Sequence, residues 1–142
     1  MIEVDLSGYS RSELQEMIAA GYDIKECYRV LEKVNGNVVG EILRISGTFY
    51  EWDHYPDGDV YDSETHSQYY YHAHRGEEHG HFHLYLRQAG MSRAMKPVEQ
   101  SHADFMDDRD DCLSHLVGIS MDKYGYPIGL FTTNRWVTAD NW

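Results

Sequence analysis

The sequence predicts an α+β fold, in which N-terminal helices pack on a curled antiparallel β-sheet. If the sheet curls strongly enough, it forms a half-barrel. Apolar residues recur at helical spacing over residues 1–46, which we expect to be mainly helical. Short aromatic and β-branched segments separated by turns fill residues 47–142, which we expect to be mainly antiparallel β. Helices followed by meandering strands are typical of this class. Because the 142 residues contain no internal repeat, we expect a single domain, 1–142.

The helical part is predicted to begin at a capping box, in which Ser10 is followed three residues later by Glu13. A first apolar stripe, residues 14–18, stops at a glycine, and a second, residues 24–34, stops at an Asn-Gly pair. A third and shorter stripe covers residues 38–43. We therefore expect two or three amphipathic helices.

The second part of the chain is predicted to contain five strands, at residues 47–55, 67–75, 79–87, 115–122 and 126–134. The first strand closes on the turn string PDGD. The second and third form a hairpin around GEEH, and the last two form a hairpin around KYG. The intervening segment is expected to be mostly irregular, with a short acidic helix near residues 103–116.

One face of this sheet should be apolar and should pack against the N-terminal helices. We expect this packing to join two sets of residues, Leu14, Ile18, Val30 and Leu31 on the helices and Tyr71, Phe82, Leu84 and Leu86 on the sheet.

The charge of the chain restricts its partners. A net charge of −12 and a pI of about 5.0 argue against binding to nucleic acid or to an anionic membrane surface. No apolar run is long enough to span a bilayer, and the first residues do not resemble a signal peptide. Two unpaired cysteines fit a reducing compartment, so we expect a cytoplasmic protein. The partners that we expect are therefore a small molecule and a second copy of the chain in a homodimer.

The histidines point to a site. Five of the nine lie in the twelve-residue segment HAHRGEEHGHFH of the first hairpin. Strict alternation puts four of them on one face of the sheet, opposite to Phe82. The expected register pairs His72 with His83 and His74 with His81.

Four imidazoles on one face can converge on a metal ion at about 2.0–2.1 Å. Glu78 or Glu77, both in the hairpin loop, would add a carboxylate, and we take Glu78 as the ligand. Such a set suits a divalent transition metal, Zn, Fe, Mn or Ni. The residues that we expect to line the pocket beside these ligands are Tyr70, Tyr85, His54 and His115.

Two functions are compatible with this pattern. The first is a metal-binding protein. If the metal also activates water or a substrate, the protein is a metal-dependent enzyme that acts on a small molecule. The second is a non-catalytic module that binds a small molecule or a protein, with histidines that respond to pH near 6.5.

Two stretches of sequence resemble known families. His72-Ala73-His74, followed by Glu78, resembles the first metal motif of the cupins, which are β-barrels that bind iron, manganese, nickel or zinc. That resemblance implies these three side chains as ligands, although the histidine of the second cupin motif has no counterpart here. The stretches EHGHFHLYLR and PIGLFTTNRW resemble a family of small bacterial proteins of unassigned function, which implies no activity.

Overall fold

The computed structural model describes residues 4–96, 112–134 and 136–138. The helices are α1 (Arg11–Lys33) and α2 (Val38–Leu43), and the strands are β1 (Tyr55–Tyr61), β2 (Ser67–His72), β3 (Gly80–Arg87), β4 (Leu113–Met121) and β5 (Pro127–Phe131). All strand pairs are antiparallel, in the order β1-β2-β3-β4-β5. The predicted α+β class is therefore confirmed. The sheet is not closed into a barrel, because β1 and β5 lie at its two edges.

The chain forms two compact units, Met1–Val38 and Val39–Trp142. The expectation of a single domain stays a prediction. In the described residues, no helix combines the length and the apolar character that are needed to cross a membrane. The expected acidic helix near residues 103–116 lies largely outside the described residues, and its last residues belong to β4 instead.

Helix α1 confirms the predicted capping box. The Glu13 amide donates to Ser10 Oγ at 3.3 Å, and the Ser10 amide donates to Glu13 Oε2 at 2.7 Å. The predicted break at Gly21 is wrong, because one helix continues to Lys33. A helical glycine costs only about 1 kcal/mol relative to alanine, which a continuous apolar pattern readily offsets. The end at Asn35 is confirmed, since this residue has a left-handed φ of 53°.

Helix α1 contributes no buried residue. Within the expected stripe, Ile18 and Val30 are exposed, and Leu14 and Leu31 are half-buried. The packing of the helices on the sheet stays a prediction.

Strand β1 is displaced from its predicted position. Residues 47–54 are irregular, and the strand begins at Tyr55, so that the expected turn string lies inside it. Gly58 and Asp59 have φ values of 81° and 58°, and the register with β2 shifts between Tyr55 and Val60. These residues therefore form an irregularity within a strand and not a turn at its end. Residues with a left-handed backbone occur in both places.

The β2–β3 hairpin is confirmed, but its predicted register is wrong by two residues. His72 pairs with His81, not with His83, and Tyr71 pairs with Phe82. His74 lies beyond the end of β2, in a longer loop than expected. Because the shift is even, each side chain of the two strands keeps its predicted face.

Strand β4 contains a bulge that changes the direction of one histidine. Val117 pairs with Leu84 and His115 pairs with Tyr85, so that Leu116 is the extra residue. Strict alternation would put His115 on the face opposite to Gly118, which pairs with His83. The bulge brings His115 to the same face as His83.

The core lies on both faces of the sheet. On one face, Tyr71 is fully buried, and its ring packs on Phe82 with centroids 4.9 Å apart. Its hydroxyl is 2.7 Å from Nδ1 of His79. On the other face, the buried side chains are mostly tyrosine and histidine, which is unusual for a protein interior.

Candidate metal centre

Three histidines of the first hairpin meet on the second face of the sheet. His72 comes from the end of β2, and His81 and His83 come from alternate positions of β3. Each offers one nitrogen, and these three nitrogens all lie within 4.8 Å of one another. The side chains are buried, with 9%, 0% and 4% of their residue surfaces exposed. Three imidazoles that converge in this way can hold a metal ion and leave a fourth tetrahedral position for water or substrate.

His81 is oriented by a carboxylate. Its Nδ1 donates a hydrogen bond to Oε1 of Glu78, whose side chain is only 5% exposed. Because the carboxylate accepts at Nδ1, the lone pair of the neutral ring is on Nε2. The sequence placed Glu78 among the metal ligands, and this role stays a prediction; in the structure its carboxylate is bound to Nδ1 of His81. A histidine ligand commonly donates its second N–H to a carboxylate in this manner.

The two histidines that pair across the strands are in direct contact. Nε2 of His72 is 2.7 Å from Nε2 of His81. Since the lone pair of His81 is on Nε2, His72 is the donor in this hydrogen bond. An ion between the two nitrogens would replace the bond, because two nitrogens on one tetrahedral metal are separated by roughly 3.3 Å. For this pair of nitrogens, the separation would therefore change by a fraction of an ångström.

His83 has a histidine partner on the next strand. Its Nδ1 is 2.8 Å from Nε2 of His115, and Nδ1 of His115 is 3.5 Å from Oγ1 of Thr133. The expectation that His115 lies beside the cluster agrees with this geometry, which depends on the bulge at Leu116.

The electrostatics of the cluster favour neutral rings. Burial lowers the pKa of His72 to about 3, with further lowering by His81 and His74. Burial likewise lowers the pKa of His83 to about 3. Burial also lowers the pKa of His81, although the hydrogen bond to Glu78 opposes the change. Neutral imidazoles are the form that binds metal.

His74 is near the three converging histidines but is not one of them. Its ring centroid lies 4.8 Å from that of His72 and 5.0 Å from that of His81. The ring also stacks on Trp52, with centroids 4.4 Å apart and planes 18° apart. Of the four histidines expected from the sequence, three have converging nitrogens, and His74 lies beyond the end of β2; its role as a metal ligand stays a prediction.

The expected pocket residues lie around the cluster. The hydroxyls of Tyr70 and Tyr85 are 3.1 Å apart, and the Tyr70 ring is 5.2 Å from the His83 ring. His54 stacks on Tyr70, with centroids 3.6 Å apart. Its Nδ1 is 3.4 Å from Oδ1 of Asp59, and nearly half of its side chain is exposed. These side chains form one continuous aromatic wall beside the histidines.

Phe131 is a member of the site that the sequence analysis missed. Its ring packs edge-on against His81 and His83, at 5.3 and 5.7 Å. It reaches them across Gly118, where an added Cβ would lie 2.3 Å from the Phe131 ring. A glycine in the middle of a predicted strand often marks such a close approach, and Gly118 was the available signal.

Comparisons with known proteins give a family and no activity. No curated protein matches the chain, and no solved structure matches it. A family model described as "Domain of unknown function (DUF6969)" matches residues 18–142. The predicted resemblance to a family of unassigned function is confirmed, whereas the cupin likeness has no support from the family match or from the open sheet. The chain belongs to the family described as Domain of unknown function (DUF6969).

Proposed function

We propose that this protein binds a divalent transition metal through His72, His81 and His83, and that the metal is the centre of an enzyme active site. The observation that carries the proposal is the convergence of three buried nitrogens within 4.8 Å, one of them on a ring oriented by Glu78. Burial keeps these three rings neutral, and neutral imidazole is the form that binds a metal ion.

The ligand set favours some metals over others. With Glu78 bound to the back of His81, all three ligands are neutral imidazoles. Imidazole suits zinc, iron and nickel, whereas manganese prefers carboxylate oxygens. Of the four metals expected from the sequence, we therefore rank zinc, iron and nickel above manganese.

Chemistry at this centre would use the open coordination position. Three neutral ligands leave the full charge of a divalent ion to polarise a substrate oxygen or to lower the pKa of bound water. The aromatic wall of Tyr70, Tyr85 and His54 would bind the organic part of a small substrate. The partly exposed His54 forms the outer end of this wall, where a substrate would enter.

The metal content of the protein tests this proposal. Protein purified without an affinity tag should contain close to one equivalent of metal by elemental mass spectrometry. Metal-depleted protein should take up zinc in equilibrium dialysis, and H81Q and H83Q should each lose this uptake. A wild-type protein that binds zinc no better than H83Q would overturn the proposal.

His66 provides the matched control. It lies in the turn before β2, and its Nδ1 is 2.6 Å from the hydroxyl of Tyr61. Its φ of 59° is one that asparagine tolerates well, so H66N should fold. H66N removes a histidine outside the cluster and should bind zinc as the wild type does.

A second candidate function is a non-catalytic binding module. It is favoured by one observation: every buried side-chain nitrogen and oxygen in the described residues has a hydrogen-bond partner without an ion. In that case the histidines form a neutral hydrogen-bonded network under the aromatic wall. The melting temperature would then be insensitive to zinc and to chelator, and the dialysis experiment would show no uptake.

A further inference from the structure

We propose that His115 is a positioning residue for the metal centre, which selects the tautomer of His83 and thereby presents Nε2 of that ring to the metal. The inference rests on the proposed function and adds a fourth histidine to it in a different role. It is carried by the direction of His115, by its contact with His83 and by its contact with Thr133.

The first step is the direction of the His115 side chain. Leu116 is the extra residue of a bulge, and without it His115 would face away from the cluster. The exposed fraction of Leu116 is 50%, so its side chain does not fill the core. Bulges re-aim side chains next to active sites, and this one brings a histidine to within 2.8 Å of His83.

The second step is the order of donors and acceptors. A hydrogen bond between two ring nitrogens requires one N–H and one lone pair. If Nδ1 of His83 donates, Nε2 of His115 accepts, and the proton of His115 is on Nδ1. That atom lies 3.5 Å from Oγ1 of Thr133, which can accept. With Thr133 Oγ1 as the acceptor at the end of this chain, the lone pair of His83 is on Nε2.

The third step compares the two β3 histidines. Glu78 accepts from Nδ1 of His81, and Nε2 of His115 lies where it would accept from Nδ1 of His83. In this arrangement, Glu78 and His115 favour the same tautomer in His81 and His83, which are two residues apart on β3. The lone pair is then on Nε2 of both rings before any ion arrives, although on His81 it accepts from His72 until the ion replaces that bond. No change of tautomer is needed in either ring, which reduces the cost of assembling the site.

The test uses the full chain and zinc as the probe. In competition with a chromophoric chelator near neutral pH, H115A should bind zinc about 10–100-fold more weakly than wild type. H115Q should recover most of the affinity, because its amide oxygen can accept near the position of Nε2. H66N should behave as the wild type.

Two spectroscopic readouts separate positioning from other roles. Nitrogen–proton correlation spectra of the metal-depleted wild type should show His83 with its proton on Nδ1, and H115A should show a mixture of tautomers. The cobalt(II) derivative of H115A should keep the absorption of a tetrahedral three-nitrogen site. A changed coordination number in H115A would mean that His115 is itself a ligand and would overturn the inference.

The outcomes also distinguish this inference from the function on which it rests. If wild type binds no zinc, the proposed function fails. If wild type binds zinc and H115A binds it equally well, only the positioning role fails. Should H115A not fold, a wild-type His83 protonated on Nε2 would overturn the inference without any variant.

Discussion

Glu78 and His81 form a buried hydrogen bond between Oε1 of the carboxylate and Nδ1 of the imidazole, and neither side chain is more than 5% exposed. The guanidinium of Arg75 lies close to that carboxylate, with Nε 3.9 Å from Oε1. Arg75 also lies 4.1 Å above the Phe131 ring, which itself packs on His81. A charged pair, an aromatic ring and a histidine of the converging cluster are thus connected in one small region, and removal of the carboxylate should affect the proposed metal centre most directly.

We first predict that E78Q weakens zinc binding by about 10–100-fold, because the amide is a weaker acceptor than the carboxylate and makes the His81 ring less basic. The measurement is the same chelator competition. E77Q is the control, since Glu77 is the adjacent and exposed residue of the loop. Equal zinc affinities of E78Q and E77Q would contradict a role for Glu78 behind His81.

Stability should fall as the pH falls below the ordinary histidine pKa. The folded pKa values of His72 and His83 are about 3, whereas the unfolded values are near 6.5. Between these values the unfolded chain binds more protons, so stability is present above about pH 6.5 and is lost as the pH falls toward about 3. Each histidine contributes up to about 1.4 kcal/mol per pH unit in this window.

Denaturant unfolding from about pH 7 to about pH 5 measures this dependence. The H72Q/H83Q double variant should show a shallower decline than wild type. With zinc added, the wild-type decline should become steeper, because protons compete with the metal for the rings. Parallel curves for wild type and the double variant would show that these two rings titrate normally.

The contact between Gly118 and Phe131 predicts a steric effect. A Cβ at position 118 would lie 2.3 Å from the Phe131 ring, so G118A should reduce the free energy of unfolding by about 1–3 kcal/mol. G129A is the control on the neighbouring strand, where the nearest atom to an added Cβ is 3.8 Å away. In an F131A background, G118A should cost much less, and equal costs in both backgrounds would argue against the contact.

The capping box predicts a local effect in α1. S10A removes the acceptor of the Glu13 amide and should lower the local stability of the helix start by about 0.5–2 kcal/mol. Amide hydrogen exchange at Glu13 should become faster, while S7A, outside the helix, should leave it unchanged. No change at Glu13 in S10A would mean that the side-chain cap does not protect this amide.

Several features of the fold follow from local rules and were predictable from the sequence. The start of α1 depends on Ser10 and Glu13 alone, and its end depends on an asparagine that tolerates a left-handed φ. The face of each hairpin histidine depends only on whether its position is odd or even, so that a register error of two residues did not affect it. Gly21 was misjudged because the cost of one helical glycine is small compared with the sum of its neighbours' propensities.

Other features depend on contacts between residues distant in the sequence. The register of β2 and β3, which removes His74 from the set, cannot be read from a loop whose length is itself unknown. The bulge at Leu116 reverses the alternation of β4 and turns His115 toward the cluster.

The sequence by itself determined that histidines would gather on one face of a hairpin, because alternation along a strand is a property of the backbone. Only the tertiary structure decided that three of them converge, that Glu78 binds the back of His81 and that Phe131 covers the site. The physical reason is that convergence depends on distances of a few ångströms between strands. Those distances are set by register, by a bulge and by close packing over Gly118, none of which is a local property of the chain.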